Sequence, residues 1–193
     1  MRSQYADDFN HDEDAGGYDA DVADESNPIR AAYGAVLDWV IDQAAIGPRS
    51  RVLDLGSGTG NLSGRISACA ELVCVDVSRQ MNALAVDKLA HLDQVRFVEA
   101  DLLEFFDGFE AVAEAGLFDT GLFDAVISTY AVHHLTEAEK AIFLAKVAAC
   151  LRPGGRAVFG DLILEDETAA AAMLERYRDS GQDEVAVAIA EEF

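Results

Sequence analysis

Lysine is almost missing from this chain: Lys88, Lys140 and Lys146 are the whole supply in 193 residues. With arginine included there are 14 positive side chains against 36 aspartates and glutamates, a formal net charge of −22 at pH 7. Such a surface repels phosphate backbones and anionic lipid, so neither nucleic acid nor a membrane surface is an expected partner. The acidity reads as a solvated surface that favours solubility, or, more sharply, as adaptation to high internal salt. Long apolar runs are lacking too. The most apolar stretch, 31–46, is interrupted by Asp38 and Asp42, which excludes a membrane span there. The start, MRSQYADDFNHDEDAGG, has neither the basic residues nor the apolar run of a signal peptide, and a cytoplasmic location is expected. Cysteine is scarce: Cys69, Cys74 and Cys150 are odd in number, lack C-x-x-C spacing, and read as reduced, buried thiols.

What is present is a globular composition, 51% hydrophobic, in a length that suits one core and not two. Residues 1–26 are acidic and read as a flexible lead-in, with the remainder, 27–193, as the folded domain. Asn27-Pro28 predicts a cap and first turn for a helix whose apolar face is Ile29, Tyr33, Val36, Leu37, Val40, Ile41 and Ala44, ended by Gly47-Pro48. Strands and helices then alternate. Strands are expected at 51–55, 71–76, 95–100, 123–129 and 156–161. Helices are expected at about 61–68, after Ser78, from Thr136 to about Leu151 behind a Thr136/Glu139 capping box, and over most of 167–192. Residues 107–121 read as a loop or short helix with a small echo, GLFD at 116–119 and 121–124. Strands apolar on both faces, separated by helices, predict a doubly wound, mostly parallel α/β sheet of Rossmann-like type.

The stretch V-L-D-L-G-S-G-T-G-N-L (52–62) carries the chain out of the first strand through a glycine turn. Gly56, Gly58 and Gly60 let the backbone turn sharply and approach a ligand with no Cβ between. A helix behind the turn would aim free N–H groups and a positive dipole end at it. Asp76, ending the second strand, can accept from both hydroxyls of a ribose. Together these make a nucleoside site. The spacing G-x-G-x-G differs from the dinucleotide pattern G-x-G-x-x-G, and Asp54 so near the loop is awkward for a pyrophosphate. It suits the α-amino group of a methionine moiety, or it braces the loop through backbone N–H groups.

With Asp76, A-D-L at 100–102 and L-R-P-G-G-R at 151–156, the glycine loop resembles class I methyltransferases that use S-adenosylmethionine (SAM) and release S-adenosylhomocysteine (SAH). Y-D at 18–19, G-T-G-N-L at 58–62, I-S-T-Y-A-V-H-H-L-T at 127–136 and V-F-G-D at 158–161 are most similar to the small bacterial YrrT-like methyltransferases. The resemblance implies that Gly56, Gly58 and Gly60 line the methionine end of SAM and that Asp76 binds the ribose. Val77 and Met81 would pack on the adenine, Asp101 would accept from its amine, Leu102 would flank the ring, and Ser128 joins the set. Tyr18 would fold over the cofactor as a lid. Met81 also stands at core spacing with Leu84 and Ala85, and Asp101 also suits a helix cap.

Methyl transfer from a sulfonium is an in-line displacement, so alignment and exclusion of water do most of the work. If a proton must be removed, Tyr130, His133 and His134, just past the fourth strand, are the candidate catalytic residues. The histidines also suit a structural role before the helix capped by Thr136. No spacing of His, Cys and carboxylates suggests a metal. The absence of an N-P-P-Y-type stretch and the acidity favour a small-molecule acceptor. The class I fold resembles a seven-stranded sheet, and no sixth or seventh strand is legible here. The expectations are a truncated product or an edge completed by another chain, hence a homodimer at the open edge or weak SAM binding. A non-enzymatic SAM-binding module and an NAD-dependent oxidoreductase are the competing readings.

Overall fold

The computed structural model describes every residue except 9, 14, 25–26, 109–121, 164–165 and 192–193. Five strands, β1 (Arg51–Leu55), β2 (Glu71–Asp76), β3 (Val95–Glu99), β4 (Phe123–Thr129) and β5 (Leu151–Gly160), form one parallel sheet in the order β3-β2-β1-β4-β5. The chain steps outward from β1 to β3, then crosses back to lay β4 on the other side of β1. That reversal opens a crevice beyond the carboxyl ends of β1 and β4, where α/β sheets of this kind bind ligands.

Both faces are covered, as side-chain alternation along a parallel strand requires. Val52, Leu72, Cys74, Ala125, Ile127 and Val158 point to one face. There they meet Leu37 and Val40 of helix α2 (Tyr33–Ala44) and Ala85 of α3 (Arg79–Lys88). Leu53, Leu55, Val73, Val75 and Val126 point to the other, against Phe143, Val147 and Cys150 of α4 (Glu137–Cys150) and Phe105 and Phe106 from residues 104–108, which are helical. Thr136 caps α4 through the reciprocal box with Glu139, and Ser78 caps α3 by accepting from the Met81 N–H. The three thiols are free, and burial pushes that of Cys150 up to about 11.

Several elements differ from expectation. The lead-in contains helix α1 (Ala15–Ala23). Asn27 caps only a 3-10 turn, Pro28–Arg30, because Ala32 adopts φ 61° and α2 begins after it. The helix expected at 61–68 is reduced to the turn Ser63–Arg65. Ser63, Gly64 and Ser67 are poor helix formers, and the Ser63 hydroxyl is committed to Asp54 instead. The dipole argument for the glycine loop therefore loses its helix. β5 begins at Leu151, with residues 152–155 bulged opposite Asp124. The last helix breaks at Gly181, φ 75°, into α5 (Glu167–Asp179) and α6 (Asp183–Glu191). Most of the GLFD echo lies outside the described residues. No described helix is long and apolar enough to cross a membrane.

Candidate nucleoside and acceptor site

A cavity of about 690 Å³, counting its open mouth, occupies the crevice beyond β1 and β4. Gly56 (φ 70°) and Gly58 (φ 52°) form its floor. A Cβ on Gly56 would stand 2.4 Å from that of Ala131, whereas one on Gly58 would meet nothing within 4 Å. Gly56 is thus required where the loop passes under the β4 segment, and Gly58 leaves backbone open to the crevice. Asp76 lines the cavity and accepts from the N–H groups of Gly58 (2.7 Å) and Ser78 (2.8 Å). Burial pushes its pKa up, and those two bonds oppose the shift. Val77, Met81, Leu102 and Asp101 continue the lining, and Tyr18 of α1 belongs to it as well. Asp101 also caps the chain at 104–108, accepting from the Leu103 N–H (3.0 Å), so the carboxylate that lines the cavity is at the same time a helix cap.

Three expected residues lie elsewhere. Gly60 packs against α3, where an added Cβ would come 3.2 Å from Ala85. The Ser128 hydroxyl is fully buried and donates to the Leu55 carbonyl at 2.6 Å. Asp54 is fully buried beneath the loop, where it accepts from the Ser63 hydroxyl at 2.6 Å. Its partner is thus a side chain and not the backbone N–H groups of a brace.

The segment that follows β4 adds Tyr130, Ala131 and His134 to the lining. Tyr130 takes φ 52°, a conformation that costs a bulky residue about 1–3 kcal/mol and marks strain that the surroundings enforce. Its N–H donates to Gly160 at 2.9 Å, its ring lies 5.2 Å from that of Tyr33, and the Arg30 guanidinium sits over it. Tyr130 and His134 both line the cavity, and burial drives the pKa of His134 far below its ordinary value. His133 does not line it: its Nδ1 bonds Asp161, in a separate groove between α4 and the end of β5. Asp161 also accepts from the N–H groups of Val132 (2.8 Å), His133 (3.2 Å) and Leu162 (2.8 Å).

Residues 52–155 match a family model described as a methyltransferase domain. An uncharacterized methyltransferase of Geobacillus kaustophilus is 32% identical over 177 residues, covering 91% of this chain and 73% of the relative. The chain belongs to the class I SAM-dependent methyltransferases. Among solved structures it is similar to DhpI bound to SAH, with TM-score 0.58, 25% identity, and coverage of 80% of this chain and 66% of that one. The YcgJ protein of Bacillus subtilis gives TM-score 0.55 and 26% identity over 75% of this chain and 59% of its own length. The cavity suits the cofactor on its own geometry. Carboxylates stand at two points for hydroxyl and amine donors, apolar Val77, Met81 and Leu102 share its wall, and open backbone lies at Gly58. Among the described residues no group of His, Cys, Asp and Glu is arranged for a metal.

The cavity of this methyltransferase also has residues about it that sequence reasoning missed. Ser3, Tyr5, Ala6 and His11 line the cavity. Asp12 accepts from the Ser78 hydroxyl at 2.6 Å. Asp19, next to Tyr18, accepts from Thr59 (2.5 Å), Asn61 (3.0 Å) and Lys88 (2.8 Å), fastening α1 to the glycine loop. Those bonds hold its pKa below the usual value against the opposing effect of burial. The only local signal for any of this was the Tyr18-Asp19 pair.

Proposed function

We propose that this methyltransferase transfers a methyl group in-line to a small molecule, and that it belongs functionally with the YrrT-like group. The observation that carries this reading is one cavity lined by Gly56, Gly58, Asp76 and Asp101 together with Tyr130 and His134. SAM, when bound, supplies a methyl on a cationic sulfur, whose departure needs no acid. Asp76 accepts from the ribose hydroxyls and Asp101 from the adenine amine, with Val77, Met81 and Leu102 against the ring. Gly56 and Gly58 admit the methionine end, Gly60 and Ser128 hold the loop and β4 in place around it, and Asp54 serves as its buried support. Tyr18 covers the open side.

At the acceptor end, His134 is a neutral imidazole at physiological pH, because burial keeps the proton off. A neutral ring accepts a hydrogen bond from an acceptor hydroxyl or amine and orients it, while so low a pKa makes it a poor store for the proton. Tyr130 orients the acceptor beside it. His133, turned to Asp161, supports the turn from behind. The net charge of −22 argues against a polyanionic acceptor or an anionic membrane. A second copy pairing along the outer edge of β5 is the proposed protein partner, since among the described residues β5 pairs only with β4. Sedimentation showing only monomer would remove it.

Two measurements test the reading. SAM and SAH should each raise the melting temperature, and NAD should not, because only a ligand of the native state stabilises it. Incubation with methyl-labelled SAM and a metabolite extract should then yield a labelled small molecule. Stabilisation by NAD alone would sink the assignment. Cofactor binding with no labelled product would point to a non-enzymatic SAM-binding module.

A further inference from the structure

Ser3, Tyr5 and Ala6, near the start of the chain, line the cavity. Ser3 is 9% exposed and donates twice to Asp101: its N–H to Oδ1 at 2.9 Å and its hydroxyl to Oδ2 at 2.5 Å. Asp101 itself is 4% exposed. Its Oδ1 additionally serves the N–H groups of Leu103 and Glu104, so the Ser3 hydroxyl is what meets Oδ2 among the described residues. The contact is secured from both sides. Arg2 pairs with Glu104 and Asp7, and the Gln4 N–H donates to Glu139 Oε1 at 2.7 Å. Tyr5 and Ala6 then line the same cavity.

An N–H and an O–H converging on one carboxylate present it with the kind of donors that an exocyclic amine on an adenine ring would bring. Both cannot use Oδ2 in the same geometry. Resting on the assignment of Asp101 to the adenine, we propose that Ser3–Ala6 form an intrasteric plug that competes with the nucleoside end of SAM and must withdraw before it binds. This differs in sign from a lid. A lid adds contacts to bound cofactor, so weakening it lowers affinity. A plug reduces the competent fraction, and the apparent dissociation constant rises as that fraction falls.

The test is titration of the 193-residue chain with SAH by calorimetry, with three variants whose fold is checked by circular dichroism. Ser3→Ala removes one of the two donors, and Ser3→Pro, having neither hydroxyl nor N–H, removes both. Arg2→Ala loosens the anchoring through Asp7 and Glu104 without touching Asp101. The expected order of affinity is wild type weakest, then Arg2→Ala, then Ser3→Ala. Ser3→Ala should be about tenfold tighter than wild type, the scale of one lost charge-assisted bond, and Ser3→Pro, which loses two, tighter still. SAH association should also become faster in the same order. Unchanged affinity in all three overturns the plug, and weaker affinity overturns it in favour of a lid. If wild type and every folded variant ignore SAH, the Asp101 assignment falls and takes the plug with it.

Discussion

Asp54 is the residue whose cost is easiest to measure. Its carboxyl is fully buried on the α2 and α3 face of the sheet, beside Cys74, with one oxygen on the Ser63 hydroxyl and Oδ1 buried without a hydrogen-bond partner among the described residues. Burial pushes its pKa up to about 7, opposed by the bond from Ser63 and assisted by the charge of Asp76. Below the unfolded value near 3.8 both states hold the proton and the group is neutral toward stability. As pH rises from there to about 7, the unfolded chain releases its proton while the native state keeps it, so stability declines across that window. Asp54→Asn removes the titration and nearly preserves shape. Denaturant unfolding at pH 5 and pH 8 should show wild type losing roughly 2–3 kcal/mol more than the variant over that interval. Parallel losses in the two proteins would mean that Asp54 is ionised throughout.

Between elements, the decisive junction is the end of β4 against the end of β5. One carboxylate, Asp161, gathers the N–H groups of Val132, His133 and Leu162 and the His133 ring, with the His133 and Asp161 side chains only 3% and 6% exposed. Replacing it with alanine strands several buried donors at once. Asp161→Ala should cost roughly 2–4 kcal/mol in urea unfolding, and Asp161→Asn, which keeps one acceptor, should fall between it and wild type. A loss below about 1 kcal/mol would show that the turn at 132–134 stands without it. The sequence hid this junction because His133 and Asp161 are 28 residues apart and each looks ordinary where it stands. The strands were legible because parallel strands buried on both faces are short apolar runs. The caps at Ser78 and Thr136 were legible because their bonds span three residues. So were Gly56, Gly58, Asp76 and Asp101, which a local motif carries. The docking of residues 1–23 was not, since its bonds reach across 98 positions from Ser3 to Asp101 and 40 from Asp19 to Thr59. An acidic composition says where a segment is soluble, and nothing about which hydroxyls and amines it will meet.

At the scale of the whole molecule, charge is the dominant imbalance. The 14 basic side chains cannot neutralise 36 acidic ones, and many are already committed in local pairs such as Arg51 with Glu71, Arg65 with Asp38 and Lys88 with Asp19. The remaining carboxylates repel one another over the compact surface more strongly than in the expanded chain. Screening acts on that repulsion at long range, with a Debye length of about 10 Å at 0.1 M salt and about 3 Å at 1 M. Potassium chloride should therefore raise the melting temperature, steeply up to a few tenths molar and then to a plateau, whereas a protein governed by its ion pairs would lose stability. The Lys88–Asp19 clasp on α1 responds in the opposite sense, being a half-exposed pair that salt weakens. Hydrogen exchange at α1 measured against the global melt should separate the two, α1 loosening while the sheet gains protection. A melting temperature still climbing between 1 and 3 M would exceed what screening supplies and favour adaptation to high internal salt. A falling one would show that attraction within the local pairs outweighs the repulsion of the acidic surface.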